Sequence, residues 1–128
     1  MTTKLSLVLK RWSLPIVLAY LIVLTIGSLG NVSGVPKLGF SFDDKIYHFL
    51  AYAILTLVLF NYFRTTTVKP KIGLSTSIAI IYGIIIEALQ AIVTDFRTPD
   101  YYDVLANTVG AVVVMILLQK FKNKLALK

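Results

Sequence analysis

His48 is the only histidine in this chain, and it follows Asp44 and Lys45 by four and three positions. Four of the six acidic residues fall in the stretch 84–110, which also carries Gln90, Arg97 and Asn107. An imidazole can act as a general base, a nucleophile or a metal ligand near neutral pH. Carboxylates such as Glu87 and Asp103 can move a proton or face a cation. A guanidinium such as Arg97 suits a phosphate or a carboxylate. These types allow cation binding, or phosphoryl transfer with Arg97 on the phosphate and His48 as nucleophile or base. No motif selects among them. There is no glycine-rich phosphate loop, no His-Glu-x-x-His and no Gly-x-Ser-x-Gly. Cysteine is absent, which excludes disulfides and thiolate metal sites. No metal and no other cofactor is therefore expected. His48, Glu87 and Asp103 are the catalytic candidates if the protein is an enzyme, a question these residues leave open.

The rest of the chain must position them. It has 128 residues, one domain's length, with 57% hydrophobic and only 15% charged residues. Its mean hydropathy is +0.80. A soluble domain this small buries too little of its chain to hide so much apolar surface, whereas lipid covers it directly. Apolar runs at 12–29, 45–62, 72–93 and 102–118 approach the length of about 20 residues that a ~30 Å bilayer core requires. The expected fold is all-α: a four-helix transmembrane bundle forming a single domain over 1–128. Pro15 falls in a first helical turn, where a missing N–H is tolerated. The first run is longer than a signal-peptide core and no small-x-small site follows, so an uncleaved span is expected. Gly30, Gly34, Pro36 and Gly39 mark a loop. Ser41 and Asp44 have capping-box spacing, and Thr98 with Pro99 makes an N-cap and N1 pair.

Charge then orients the spans. Ten of the thirteen Lys and Arg lie before the first run, between the second and third, or after the fourth. Lys37, Lys45 and Arg97 lie on the other side, with all six acids on or near it. The positive-inside rule puts both termini in the cytoplasm. The net charge of +7 is thus a topology signal, scattered over three short segments, and no nucleic-acid partner is expected. Membrane lipid is the expected surrounding, and the oligomeric state is open.

Depth follows from orientation. Glu87 lies roughly 22 Å along its helix, or about 8 Å below the outer surface of the core. His48 and Asn107 are each roughly 6 Å deep. Three helices thus bring His48, Glu87 and Asn107 to one layer. Asp44 with His48 and Asp103 with Asn107 are i,i+4 pairs, and Glu87 with Gln90 is i,i+3. The opposite halves carry no such cluster, which argues against a path for ions or protons through the membrane.

Two readings stand for these residues. In one, they line a pocket open to the outer leaflet. In the other, they only lock the helices or dock a partner subunit: Glu87 pairs with Arg97 or His48, and Gln90 and Asn107 act as interhelical glue. Asp95, Asp100 and Asp103 stand near enough to neutralise Arg97, and Asp103 is also placed as a helix N-terminal carboxylate. Tyr47, Tyr52, Tyr101 and Tyr102 read as an interfacial aromatic belt, and Gly83 and Gly110 as points of close helix approach.

Two spaced blocks resemble a known family. The segment 44–52 reads Asp-Lys-x-x-His-Phe-x-x-Tyr. Glu87 and Gln90, then Arg97, then Asp103, Asn107 and Gly110 form the second block. Both are similar to the VanZ-like family of small bacterial membrane proteins, in the same order and over roughly 40–115. The resemblance implies a shared polar set of Asp44, Lys45, His48, Glu87, Gln90, Arg97, Asp103 and Asn107, taken here as the ligand-binding candidates. It implies a multi-pass protein of the bacterial cytoplasmic membrane. The family's name-giving member is linked to resistance to the glycopeptide teicoplanin. The ligand classes that follow are a lipid-linked cell-wall precursor, a polyprenyl phosphate or a lipoglycopeptide, bound or modified at the cell envelope.

Overall fold

A computed structural model describes residues 3–30, 43–93 and 100–122. Five helices follow in order: α1 (Lys4–Arg11), α2 (Ser13–Leu29), α3 (Asp43–Phe63), α4 (Lys71–Val93) and α5 (Tyr101–Phe121). No strand occurs among the described residues. Helices α3, α4 and α5 are each long and apolar enough to cross a membrane. A fourth crossing exists if α1 and α2 count as one span, bent by 63° at the break between them. The expected four spans are therefore three straight ones and one bent candidate.

The segment before the first run, expected as a polar lead-in, is a helix of its own. Thr3 caps α1, its Oγ1 accepting the N–H of Ser6 at 3.1 Å. Leu5, Val8 and Leu9 share one face, and Ser6 and Lys10 lie opposite. No residue of α1 is buried, so no core contact holds it in line with α2. It is tied instead to the end of α3, where Asn61 Nδ2 donates to the Leu9 carbonyl at 3.0 Å.

Helix α3 is the centre of the bundle. It touches all four others and packs most extensively against α5. Gly110 explains that closeness: a Cβ there would run into the carbonyl oxygen of Phe49 and lie 3.2 Å from the Ala53 nitrogen. Gly83 on α4 does the same for the Tyr52 ring at 3.0 Å and the Asn107 amide at 3.1 Å. Small residues at a crossing let helix backbones approach without any hydrophobic drive between them. The core is accordingly narrow, with one cluster of Val17, Tyr52, Leu55, Leu59, Ala79 and Ala111 and a smaller one of Phe60, Val114 and Leu118. Large apolar chains such as Ile22, Ile26, Ile84, Leu105 and Ile116 point outward, onto the surface that lipid covers.

Buried hydroxyls in the middle and lower bundle satisfy themselves. Thr56, Ser75 and Thr76 donate to the carbonyls of Tyr52, Lys71 and Ile72, each four residues back. They form no cluster. At the opposite end, the C-termini of α2 and α4 meet the N-termini of α3 and α5. Both described chain ends lie away from that polar end. The cap of α5 is Asp100, whose Oδ1 accepts the Tyr102 N–H at 2.8 Å. The expected Thr98 and Pro99 pair lies outside the described residues, as do Ser41 and the breakers Gly34, Pro36 and Gly39.

Candidate functional site

Lys45, in the first turn of α3, is the hub of the polar end. Its Nζ donates to Asp103 Oδ1 at 2.6 Å, Asp100 Oδ2 at 2.9 Å and Asp44 Oδ2 at 3.1 Å. An ammonium has three donors, and here each has a carboxylate. Asp103 is buried at 7% exposure, so its charge needs such a partner. It is thus more than the dipole-favoured N-terminal carboxylate the sequence offered. Asp100 lies just before α5. The Lys45 ammonium first, and then the Tyr102 N–H, hold its carboxyl below the usual carboxylate range. Lys45 therefore takes two of the three acids expected around Arg97. Arg97 and Asp95 lie outside the described residues.

His48, one turn along α3, faces the same carboxylates from the other side. Its Nδ1 lies 2.9 Å from Asn107 Oδ1. Its Nε2 lies 3.5 Å from Asp103 Oδ2 and 3.7 Å from Asp44 Oδ1. His48 and Asn107, expected at equal depth, are in direct contact because Gly83 and Gly110 let α3, α4 and α5 close around them.

Glu87 and Gln90 connect other helices. Glu87 is 6% exposed, and its Oε1 accepts the backbone N–H of Asp100 at 2.8 Å. The expected partner was Arg97 or His48; the one found is a main-chain donor at the start of α5. A carboxylate on α4 thereby pins the entry of α5. Glu87→Gln keeps an acceptor there and is expected to change stability little. Glu87→Leu strands the N–H and should cost about 1–3 kcal/mol. Thermal unfolding in detergent micelles separates the two; equal losses would mean that the charge, not the hydrogen bond, matters. Gln90 is buried, and its Nε2 donates to the Ser28 carbonyl at 2.7 Å, joining α4 to the end of α2.

Between α2 and α3 is a cavity of about 360 Å³. Asp44, His48 and Ser28 form its polar part, and Val23, Leu24 and Ala51 its apolar part. Val23 is 67% exposed, so the apolar part opens sideways toward lipid. Tyr52, one turn beyond His48, also lines the cavity. The aromatic belt expected of the tyrosines suits Tyr101 and Tyr102, at 93% and 69% exposure. Tyr52 is instead a core residue, 2% exposed, and its hydroxyl has no hydrogen-bond partner among the described residues.

The structure thus draws Asp44, Lys45, His48, Asp103 and Asn107 into one cluster. Glu87 joins it through Asp100, while Gln90 reaches α2. The sequence reading placed Lys45 among the ligand-binding candidates, not as the partner of three carboxylates, and it missed Asp100, Tyr52 and Ser28 as site residues. A signal existed for two of them: Asp100 precedes Asp103 by one helical turn, and Tyr52 continues the four-residue spacing of Asp44 and His48. Nothing in the sequence marks Ser28, which contributes through its backbone carbonyl and its place on the cavity wall. Chemically, the cluster offers an imidazole and several carboxylates beside an apolar slot, an arrangement able to hold a polar headgroup and its attached tail.

The family model described as VanZ/LLP1 matches residues 15–122. That span takes in nearly all of α2 and the whole of α3, α4 and α5, and leaves α1 outside. No curated protein and no solved structure matches the chain.

Proposed function

The chain belongs to the VanZ-like family, and from that premise we propose that it holds an amphipathic cell-envelope ligand at the polar end of its bundle. It would sit in the bacterial cytoplasmic membrane with both termini inside and that end at the outer leaflet. The orientation rests on the ten basic residues grouped away from the acids. The ligand classes are a lipid-linked cell-wall precursor, a polyprenyl phosphate, or a lipoglycopeptide such as teicoplanin. The observation that carries the reading is the cavity between α2 and α3, with Asp44, His48 and Ser28 over an apolar part open to the lipid side. An amphipathic molecule matches it end for end.

A second reading has its own observation. Lys45 with three carboxylates, and His48 with Asn107, already satisfy one another, as a purely structural latch between helices would. Thermal stability decides between the two. The comparison is wild type and His48→Ala in detergent, each with and without a polyprenyl phosphate or teicoplanin. A ligand pocket gives wild type a higher Tm with ligand and a folded His48→Ala that has lost the response. A latch gives no ligand response in either protein and a much lower Tm for His48→Ala.

A further inference from the structure

We propose that Asp44, His48 and Asp103 form a divalent-cation site of the zinc class, with an open coordination position toward the cavity between α2 and α3. The inference rests on the pocket reading only for what would occupy that open position.

The two carboxylates are split in the same way. Asp44 Oδ2 and Asp103 Oδ1 accept from Lys45. Their other oxygens, Asp44 Oδ1 and Asp103 Oδ2, turn to His48 Nε2 at 3.7 Å and 3.5 Å. His48 Nδ1 faces an acceptor, Asn107 Oδ1, at 2.9 Å, which places a proton on Nδ1 and leaves Nε2 as the ring nitrogen free to ligate. One ring nitrogen and two carboxylate oxygens then converge, a donor set that a divalent cation can bridge. The amide contact is also how a ligating histidine is commonly fixed, with its second nitrogen hydrogen-bonded to a neighbouring oxygen.

The dimensions fit. Ligand atoms from the three residues lie within 4.8 Å of one another. Zinc bonds to nitrogen and oxygen run about 2.0–2.2 Å, so the edges of a tetrahedral site are about 3.3–3.6 Å. The two edges at His48, 3.5 Å and 3.7 Å, need at most a small contraction. Three protein ligands and one open position is the pattern of zinc sites that bind a water or a substrate.

A separate observation points to the open side. Tyr52 is 2% exposed and lines the cavity one turn from His48, with its hydroxyl unpaired among the described residues. A buried donor without an acceptor is costly, and a bound oxygen in the cavity would satisfy it. Charge gives the ligand class. Among the described side chains, Asp44, Glu87, Asp100 and Asp103 supply four carboxyl groups at this end against the one ammonium of Lys45. An anionic headgroup would be repelled by carboxylates alone; a divalent cation lets a phosphate-bearing lipid enter through the open position.

The test uses tag-free full-length protein in nanodiscs, stripped with a chelator and titrated with zinc, manganese or magnesium chloride by calorimetry and elemental analysis. One zinc per chain is expected. Asp44→Asn and His48→Gln should each weaken binding by more than about 10-fold with helix content unchanged. Asp44 is the safer variant, since its side chain is 62% exposed. No saturable ion binding by wild type, as an imidazolium ion pair would give, overturns the site. So does an affinity that survives both substitutions. The thermal response to a polyprenyl phosphate is measured alongside, with zinc and with chelator. A lipid response that persists in chelator, without ion binding, removes the cation site and leaves the pocket. Zinc binding without any lipid response removes the pocket and leaves the cation site.

Discussion

Lys45→Met is expected to lower stability by about 3 kcal/mol, the loss that follows when one partner is removed from a buried ion pair. Methionine keeps an apolar chain of similar length and deletes the charge. The ammonium is the donor shared by Asp44, Asp100 and Asp103, and the last of these is buried at 7% exposure. Without it, two helices would hold carboxylates facing one another near the membrane boundary. A second substitution checks the cause. Asp103→Asn in the Lys45→Met background removes the most deeply stranded charge and should recover part of the loss. Lys45→Arg should fall between, because the five donors of a guanidinium lie in one plane and do not match carboxylates arranged around a compact ammonium. Unfolding in micelles reads all four proteins. A Lys45→Met protein as stable as wild type would remove the lysine hub from the explanation of the fold.

Gly27→Phe should abolish the response to ligand without harming the fold. Gly27 lines the cavity on α2, and a Cβ added there meets nothing within 4 Å. A phenyl ring at this position fills the slot between Asp44 and His48 above and Val23 below. At a ligand concentration of about 100 Kd, wild type gains about 2.7 kcal/mol from binding, and the variant should gain none. Its stability without ligand should hold or rise, since glycine inside a helix costs about 0.5–1 kcal/mol relative to alanine. That pairing separates a blocked cavity from a damaged bundle. If wild type responds to ligand and Gly27→Phe responds equally, the ligand binds elsewhere.

Much of the architecture was legible because lipid imposes a strong and local rule. An uninterrupted apolar run can be read without knowing its neighbours, and the helices at Asp43–Phe63, Lys71–Val93 and Tyr101–Phe121 start within two residues of the expected positions. Helix α1 was not legible. Its four apolar residues are too few to mark a helix by period, and it buries nothing. The polar set was legible by type, and Gly83 and Gly110 as close approaches, because a charge or a missing side chain in an apolar run has few other uses. Partner choice was not. Glu87 meets a backbone N–H, Gln90 meets the Ser28 carbonyl, and Tyr52 enters the core.

The sequence by itself determined the all-helical class, the membrane character and which residues could do chemistry. Hydropathy and residue type are properties of short segments, and a bilayer reads them segment by segment. Only the tertiary structure decided that Lys45 gathers Asp44, Asp100 and Asp103, and that His48 Nε2 faces the two oxygens that Lys45 leaves. It also decided that a cavity opens between α2 and α3. These depend on the rotation and crossing of whole helices. Rotations are set by contacts such as Gly110 against Phe49, between residues far apart in the chain, and no local pattern records them.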